Sequence, residues 1–182
     1  MWSRPVPQQY SWMRLSTRPS GARRVTVMRL FLIKLLLVIT LPAFTASAQA
    51  VSMQSVADLR HEAGILRAKN LVLVLEFASD DCAYCRKLEA LFLLPMQRNA
   101  DYDDKILIRS ISMSDYDSVI DFDGRSLTTS EFAARYRVTV TPTLLFLSAD
   151  GIELSERLVG IWSEDFFGGF IDDRIETALG KL

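Results

Sequence analysis

Cys82 and Cys85 are the only two cysteines in a chain of 182 residues, and they have two residues between them in "EFASDDCAYCRKLE" (76–89). Such a pair can serve as a structural staple, as part of a metal site or as a redox centre. Structural zinc takes four ligands, but the chain has no further cysteine and His61 is its only histidine. Covalent haem attachment needs a histidine directly after the second cysteine, where this chain has Arg86. A disulfide that closes so short a loop removes little entropy from the unfolded chain and makes a poor staple. Redox chemistry suits the pair best.

That chemistry depends on the elements around the cysteines. "LVLVLEF" (71–77) is a continuous apolar run of strand length, the pattern of a central parallel-sheet strand buried on both faces. A helix follows, capped by Asp80 or Asp81, with Leu88, Leu91 and Phe92 on its buried face until Pro95 stops or kinks it. At a helix start, the free amides and positive dipole end stabilise the Cys82 thiolate, the form that attacks a disulfide. Cys85, one turn later, is placed to attack the resulting mixed disulfide and release the substrate. Asp80 and Asp81 disfavour that thiolate while Arg86 and Lys87 favour it, so no clear net shift follows.

The remaining pattern supplies a frame for this unit. Val56 to Lys69 reads as an amphipathic helix ended by Asn70, and "KILIRSIS" (105–112) as the next strand. Residues 113–127 are polar and turn-rich, a loop ahead of a helix at 128–136; within it Asp121, Asp123 and Gly124 have too few following oxygen ligands for a calcium loop. "TLLFLS" (143–148) and "IELSERLV" (152–159) read as a hairpin around Ala149-Asp150-Gly151. Ser163 is expected to cap a last helix with Phe167, Ile171, Ile175 and Leu179 as its core stripe, and Gly168 and Gly169 to allow close packing on the sheet. This order makes an α/β fold with a central mixed β-sheet flanked by helices.

Ahead of that domain, "MRLFLIKLLLVITLPAFTASAQA" (28–50) has a basic start, a short apolar stretch and small residues before a cleavage point, the layout of a secretory signal peptide. Residues 1–27 read as unstructured leader with the true start at Met28, and 51–182 as the functional domain. The apolar stretch holds Lys34 and is short for a membrane span of about 20 residues, so a cleaved signal is preferred to an uncleaved anchor. All 22 acidic residues lie after residue 50 and 7 of the 21 basic ones before it, which leaves the domain at a net charge of −8. An acidic domain without a basic stripe argues against nucleic acid as partner. Export places the cysteines in an oxidising compartment, where a disulfide can form and persist.

Over residues 56–180 the chain resembles the thioredoxin superfamily. "EFASDDCAYC" matches beyond its cysteines, because Glu76 stands six positions before Cys82, where relatives carry a buried acid. "YRVTVTPTLLFL" (136–147) is similar to the segment before the family's cis-proline, and "DGIELSERLVGIWSEDFF" (150–167) to its closing hairpin, glycine and last helix. The resemblance implies a thioredoxin fold, Glu76 as proton shuttle for Cys85, and Pro142 as a cis-proline beside which the Thr141 backbone binds an extended substrate. Ala83 and Tyr84 would join the substrate face, with Trp162 more often a core aromatic in such a place. Ala83-Tyr84 within the pair and Thr141 before the proline are closer to glutaredoxins and bacterial disulfide isomerases than to thioredoxin. The chain lacks room for the isomerases' dimerisation domain and is similar to exported thioredoxin-like proteins of sulfur oxidation and cytochrome maturation. The expectation is a monomeric thiol–disulfide oxidoreductase that uses its own cysteines, with no metal or organic cofactor. Its partners would be a disulfide-containing exported protein and a membrane or periplasmic electron donor. Reduction is the favoured direction, with oxidase, isomerase or plain binding module as alternatives.

Overall fold

Seven consecutive residues with buried side chains, Val72–Ala78, form β1 of the computed structural model, which describes residues 52–113 and 116–182. The expected leader and signal peptide (1–50) lie outside the described residues. A strand covered on both faces needs a partner on each edge and a layer on each side. β2 (Ile106–Ser112) pairs with it in parallel and β5 (Thr143–Leu147) antiparallel, and β6 (Leu158–Val159) adds to β5, giving the order β2-β1-β5-β6. The central mixed sheet expected from the sequence is present.

The two faces follow the period-2 alternation of the strands. Leu73, Leu75 and Phe77 join Leu145 and Leu147 under α1 (Leu59–Lys69) and α4 (Thr129–Arg135), through Leu59, Leu66, Phe132 and Ala133. Val72 and Val74 join Leu144 and Phe146 on the other side, under Leu88, Leu93 and Met96 of the helix after the cysteines and Phe167, Ile171 and Ile175 of α5 (Phe167–Leu179). Each such fully buried side chain contributes about 1.5–3 kcal/mol. Glu76 has the parity of Val72 and Val74, so this second face receives a carboxyl group.

α1 starts at Leu59, since Asp58 is its N-cap and accepts the His61 N–H at 3.0 Å; Asn70, at φ 54°, ends it. The helix after the cysteines departs from expectation at its start. Its cap is Cys82 rather than an aspartate, and Pro95 does not stop it. α2 (Ala83–Leu88) runs into a π-helical turn, Glu89–Leu93, and on into α3 (Leu94–Arg98), with Pro95 in the first turn of α3, where a missing N–H is tolerated. Neither does Ser163 cap α5, which begins only at Phe167; Glu164 instead pairs with Lys87 across from α2. The close-packing account of the two glycines also fails, because a Cβ at Gly168 would meet only Phe92 at 3.5 Å and one at Gly169 would meet nothing.

The expected loop at 113–127 contains a small hairpin, β3 (Ser118–Ile120) and β4 (Ser126–Thr128), whose three-residue strands are too short to show a period. Conversely, the expected strand at 152–159 shrinks to a bridge between Leu147 and Glu153 and the two residues of β6. Asp121 organises the β3–β4 turn: its Oδ1 accepts the N–H groups of Asp123 and Arg125, both at 2.9 Å, and its other oxygen meets the Arg135 guanidinium of α4. Burial acts to raise the Asp121 pKa, but these hydrogen bonds and Arg135 outweigh it and hold the carboxyl below its ordinary value of 3.8.

Asp121→Ala is expected to lower stability by about 1–3 kcal/mol, the range for losing an acceptor that several donors share, as read by urea unfolding near neutral pH. In the wild-type protein the same contribution is present above about pH 3.8 and is lost as pH falls through the lower folded value, so the deficit of the variant narrows in acid.

Candidate functional site

β1 ends at Ala78, and the chain turns through Ser79–Asp81 before the helix. The Cys82 N–H donates to the Ser79 carbonyl at 3.1 Å, which holds Cys82 in an extended backbone conformation at the helix start. There its Sγ accepts the Cys85 N–H at 3.0 Å, satisfying one of the free amides of the first turn. The sulfur itself occupies the capping position, and a thiolate there would gain the same hydrogen bond in charge-assisted form.

Cys82 and Cys85 form a disulfide, with Cα atoms 5.2 Å apart. Its two sulfurs stand in different surroundings. Cys85 is only 2 % exposed, whereas Cys82 is half-buried and flanked by exposed residues at Asp81 and Ala83. Of the two sulfurs, that of Cys82 is the more accessible to an incoming thiolate.

A second segment closes on this turn. The register that pairs Phe77 with Thr143 sets Pro142 level with the end of β1, and the Thr141–Pro142 peptide is cis. The Thr141 and Ser79 hydroxyls share a hydrogen bond of 3.1 Å, joining the proline segment to the turn before Cys82. Pro142 is buried and its carbonyl accepts the N–H of Gly160, whose φ of 67° suits a glycine. The Thr143 hydroxyl donates to the Val140 carbonyl at 2.7 Å. Among the described residues the backbone N–H and C=O of Thr141 have no hydrogen-bond partner.

Glu76 lies within the sheet between Ser110 on β2 and Leu144 on β5, on the face covered by α2 and α5. It is 0 % exposed, and neither carboxylate oxygen has a hydrogen-bond partner. Burial, with a smaller contribution from the negative charge of Glu89, pushes its pKa up from 4.5 to about 8. Glu89 is half-buried and its own pKa is raised by burial, against the lowering effect of Arg86.

The structure thus brings Cys82, Cys85, Thr141 and Pro142 to one end of the sheet and seals Glu76 within it. Ala83 and Tyr84 are exposed on the first helical turn, Tyr84 at 62 %. Trp162 is no core residue: it is half-exposed and packs on Phe167 and Phe170 with ring centroids 5.1 and 4.7 Å away. Sequence reasoning missed Ser79 and Glu89. Ser79 was readable as the residue between strand end and turn, and Glu89 as the position four after Cys85 on the same helix stripe. Among the described residues, no group of three or more His, Cys, Asp or Glu side chains is placed to hold a metal ion.

A family profile described as a thioredoxin-like domain matches residues 59–174. Among solved structures, the chain is similar to the thioredoxin NaTrxh of Nicotiana alata, with 23 % identity over 70 % of this chain and 98 % of that one and a TM-score of 0.42. The periplasmic thioredoxin SoxS of Paracoccus pantotrophus, in reduced form, matches with 23 % identity over 59 % of this chain and 98 % of that one, also at 0.42. A poplar thioredoxin h mutant matches with 16 % identity over 75 % and 93 %, at 0.47. No curated protein matches the sequence. With a profile spanning most of its described residues, and a Cys-x-x-Cys disulfide at the end of the central strand, the chain belongs to the thioredoxin-like family and is a thiol–disulfide oxidoreductase.

Proposed function

We propose that this oxidoreductase works in the periplasm as a monomer and reduces disulfides of exported proteins, drawing electrons from a membrane or periplasmic donor. The observation that carries the reading is the pairing of an accessible sulfur on Cys82 with a sealed sulfur on Cys85, above a sheet that buries an unpartnered acid, Glu76. Export rests on the signal-like segment at 28–50, followed by a domain at 51–182, with 1–27 as leader.

The cycle balances as follows. In the reduced protein the Cys82 thiolate attacks a substrate disulfide, forming a mixed disulfide and expelling one substrate thiolate. Cys85 gives its proton to the Glu76 carboxylate, attacks the Cys82 sulfur and expels the second substrate thiolate, which leaves the Cys82–Cys85 disulfide and a neutral Glu76. A donor thiolate then attacks Cys82 and Cys85 departs as a thiolate, which takes the proton back from Glu76; a second donor thiol frees Cys82. An acid that titrates near 8 can both accept and return a proton at neutral pH. Thr141 and Pro142 align the substrate as an added strand, with Ala83 and Tyr84 beside its disulfide.

Equilibrating the full chain with defined thiol–disulfide buffers and trapping free thiols is expected to give a reduction potential near that of thioredoxin, about −270 mV. A value near about −120 mV would make the protein an oxidase or isomerase, and the absence of a reversible couple would make it a binding module. Cys82→Ser is expected to abolish disulfide turnover, and Cys85→Ser to accumulate the mixed disulfide, visible on non-reducing gels.

Glu76 also predicts an unusual pH dependence of stability. Its folded pKa lies above its unfolded one, so the stability contributed by the neutral acid is full below about pH 4.5, declines as pH rises and is gone above about 8. Glu76→Gln removes that decline; urea unfolding of the oxidised proteins between pH 4 and 9 should show a variant more stable than wild type at pH 8 by about 2 kcal/mol or more. A wild-type curve that is flat across this window would contradict the buried neutral acid.

A further inference from the structure

The two aspartates ahead of Cys82 are alike in sequence and differ in what they touch. Asp80 is tied at two points: its Oδ1 accepts the Ser112 hydroxyl at 2.7 Å, and its backbone carbonyl accepts a guanidinium N–H of Arg86 at 3.3 Å. The Asp81 carboxylate has no such partner among the described residues. Ser112 is a fixed point for this contact. It is the last residue of β2 and lies level with Ala78, the last of β1; the Met113 N–H carries the ladder one step further by donating to the Ala78 carbonyl at 2.8 Å. On the opposite edge of β1, the hydroxyl of Ser79 bonds to that of Thr141. Two consecutive residues of the turn, Ser79 and Asp80, are therefore moored to the segments on either side of β1. Cys82 hangs from this turn through its N–H on the Ser79 carbonyl.

We propose that Asp80 and Ser112 are positioning residues of the redox site, their hydrogen bond locking the turn so that the Cys82 sulfur stays on the helix cap. There it meets the Cys85 N–H at 3.0 Å, the group that favours its thiolate. This rests on Cys82 as the attacking sulfur. The Asp80 side chain has two opposed effects on that sulfur. Its charge disfavours a thiolate two residues on, whereas its contact with Ser112 keeps the sulfur where the thiolate is stabilised. The site needs the acceptor at residue 80 and gains nothing from its charge, so substitutions can tell the two apart.

The test is the rate at which iodoacetamide alkylates the reduced full chain at pH 7, where Cys85 is sealed and Cys82→Ser supplies the background. Ser112→Ala keeps the carboxylate and loses the contact, and is expected to slow alkylation by roughly three- to tenfold. Asp80→Asn keeps an acceptor for the Ser112 hydroxyl and loses the charge, and is expected to match or exceed the wild-type rate, as is Asp81→Asn, which removes a charge and no contact. Asp80→Ala is expected to be slower than Asp80→Asn, and the double variant Asp80→Ala with Ser112→Ala no slower than the slower single one, because both remove the same hydrogen bond. A wild-type rate in Ser112→Ala overturns the proposal, and so does any result in which Asp80→Asn and Asp80→Ala react alike, the outcome expected if charge alone acted. Alkylation that persists in Cys82→Ser overturns Cys82 as the attacking sulfur, and the positioning role with it.

Discussion

A strand with no solvent-facing side is the constraint from which the rest of this molecule follows. Val72–Ala78 is paired on both edges and covered on both faces, so each of its side chains is removed from water irrespective of its chemistry. Six of the seven are apolar and stabilise the fold by that removal. The seventh is Glu76, and the strand that anchors the core therefore carries a carboxyl that is cheap to bury only when protonated. The strand also sets where the chemistry happens, because the turn leaving it delivers Cys82 to the start of a helix packed over the same face as that acid.

The unequal surroundings of the two sulfurs come from the same packing. Cys85 and Leu88 lie one turn apart on the buried side of α2, so the helix face that seals the hydrophobic layer seals Cys85 with it. Cys82, as the cap, stays outside that layer, and the turn before it is joined to the second segment by the Ser79–Thr141 hydroxyl hydrogen bond. The Thr141–Pro142 segment is held independently, by β5 pairing and by the Gly160 N–H, so the two halves of the site come from separate parts of the chain and meet at one end of the sheet. Sites at strand ends gain from this: the scaffold is rigid and the loops remain free to differ.

Much of this was legible in the sequence because the signals were strong and local. A strand-length run that is apolar at every position but Glu76 admits few readings besides a doubly buried strand, and Cys-x-x-Cys after it leaves little besides redox chemistry once zinc and haem lack ligands. The failures share a cause, which is that tertiary context outweighed a weak local preference. Ser163 is a good capping residue, but the Lys87–Glu164 pair and the packing of Trp162 edge-on to Phe167 and tilted against Phe170 hold the segment out of the helix. Asp80 and Asp81 are good caps too, yet the Asp80 carboxylate accepts the Ser112 hydroxyl at 2.7 Å and leaves the cap to a sulfur. The hairpin at 118–128 was hidden because three-residue strands have no readable period and its organising contact, Asp121 with Arg135, spans fourteen residues.

The exposed aromatic residues complete the physical picture. Tyr84, Trp162, Phe166 and Phe170 all keep a large part of their surface in water, and the Lys87–Glu164 pair links the helix of Tyr84 to the segment of Trp162. On a domain of net charge −8, apolar rings and neutral backbone groups are the parts of the surface that do not repel an acidic polypeptide. Under the function proposed above, backbone hydrogen bonds at Thr141 and contacts to flat rings would ask little of a partner's side chains. Under the same proposal, the feature that every partner shares is a disulfide able to reach Cys82, while the chemistry that follows would be decided by groups the partner never touches.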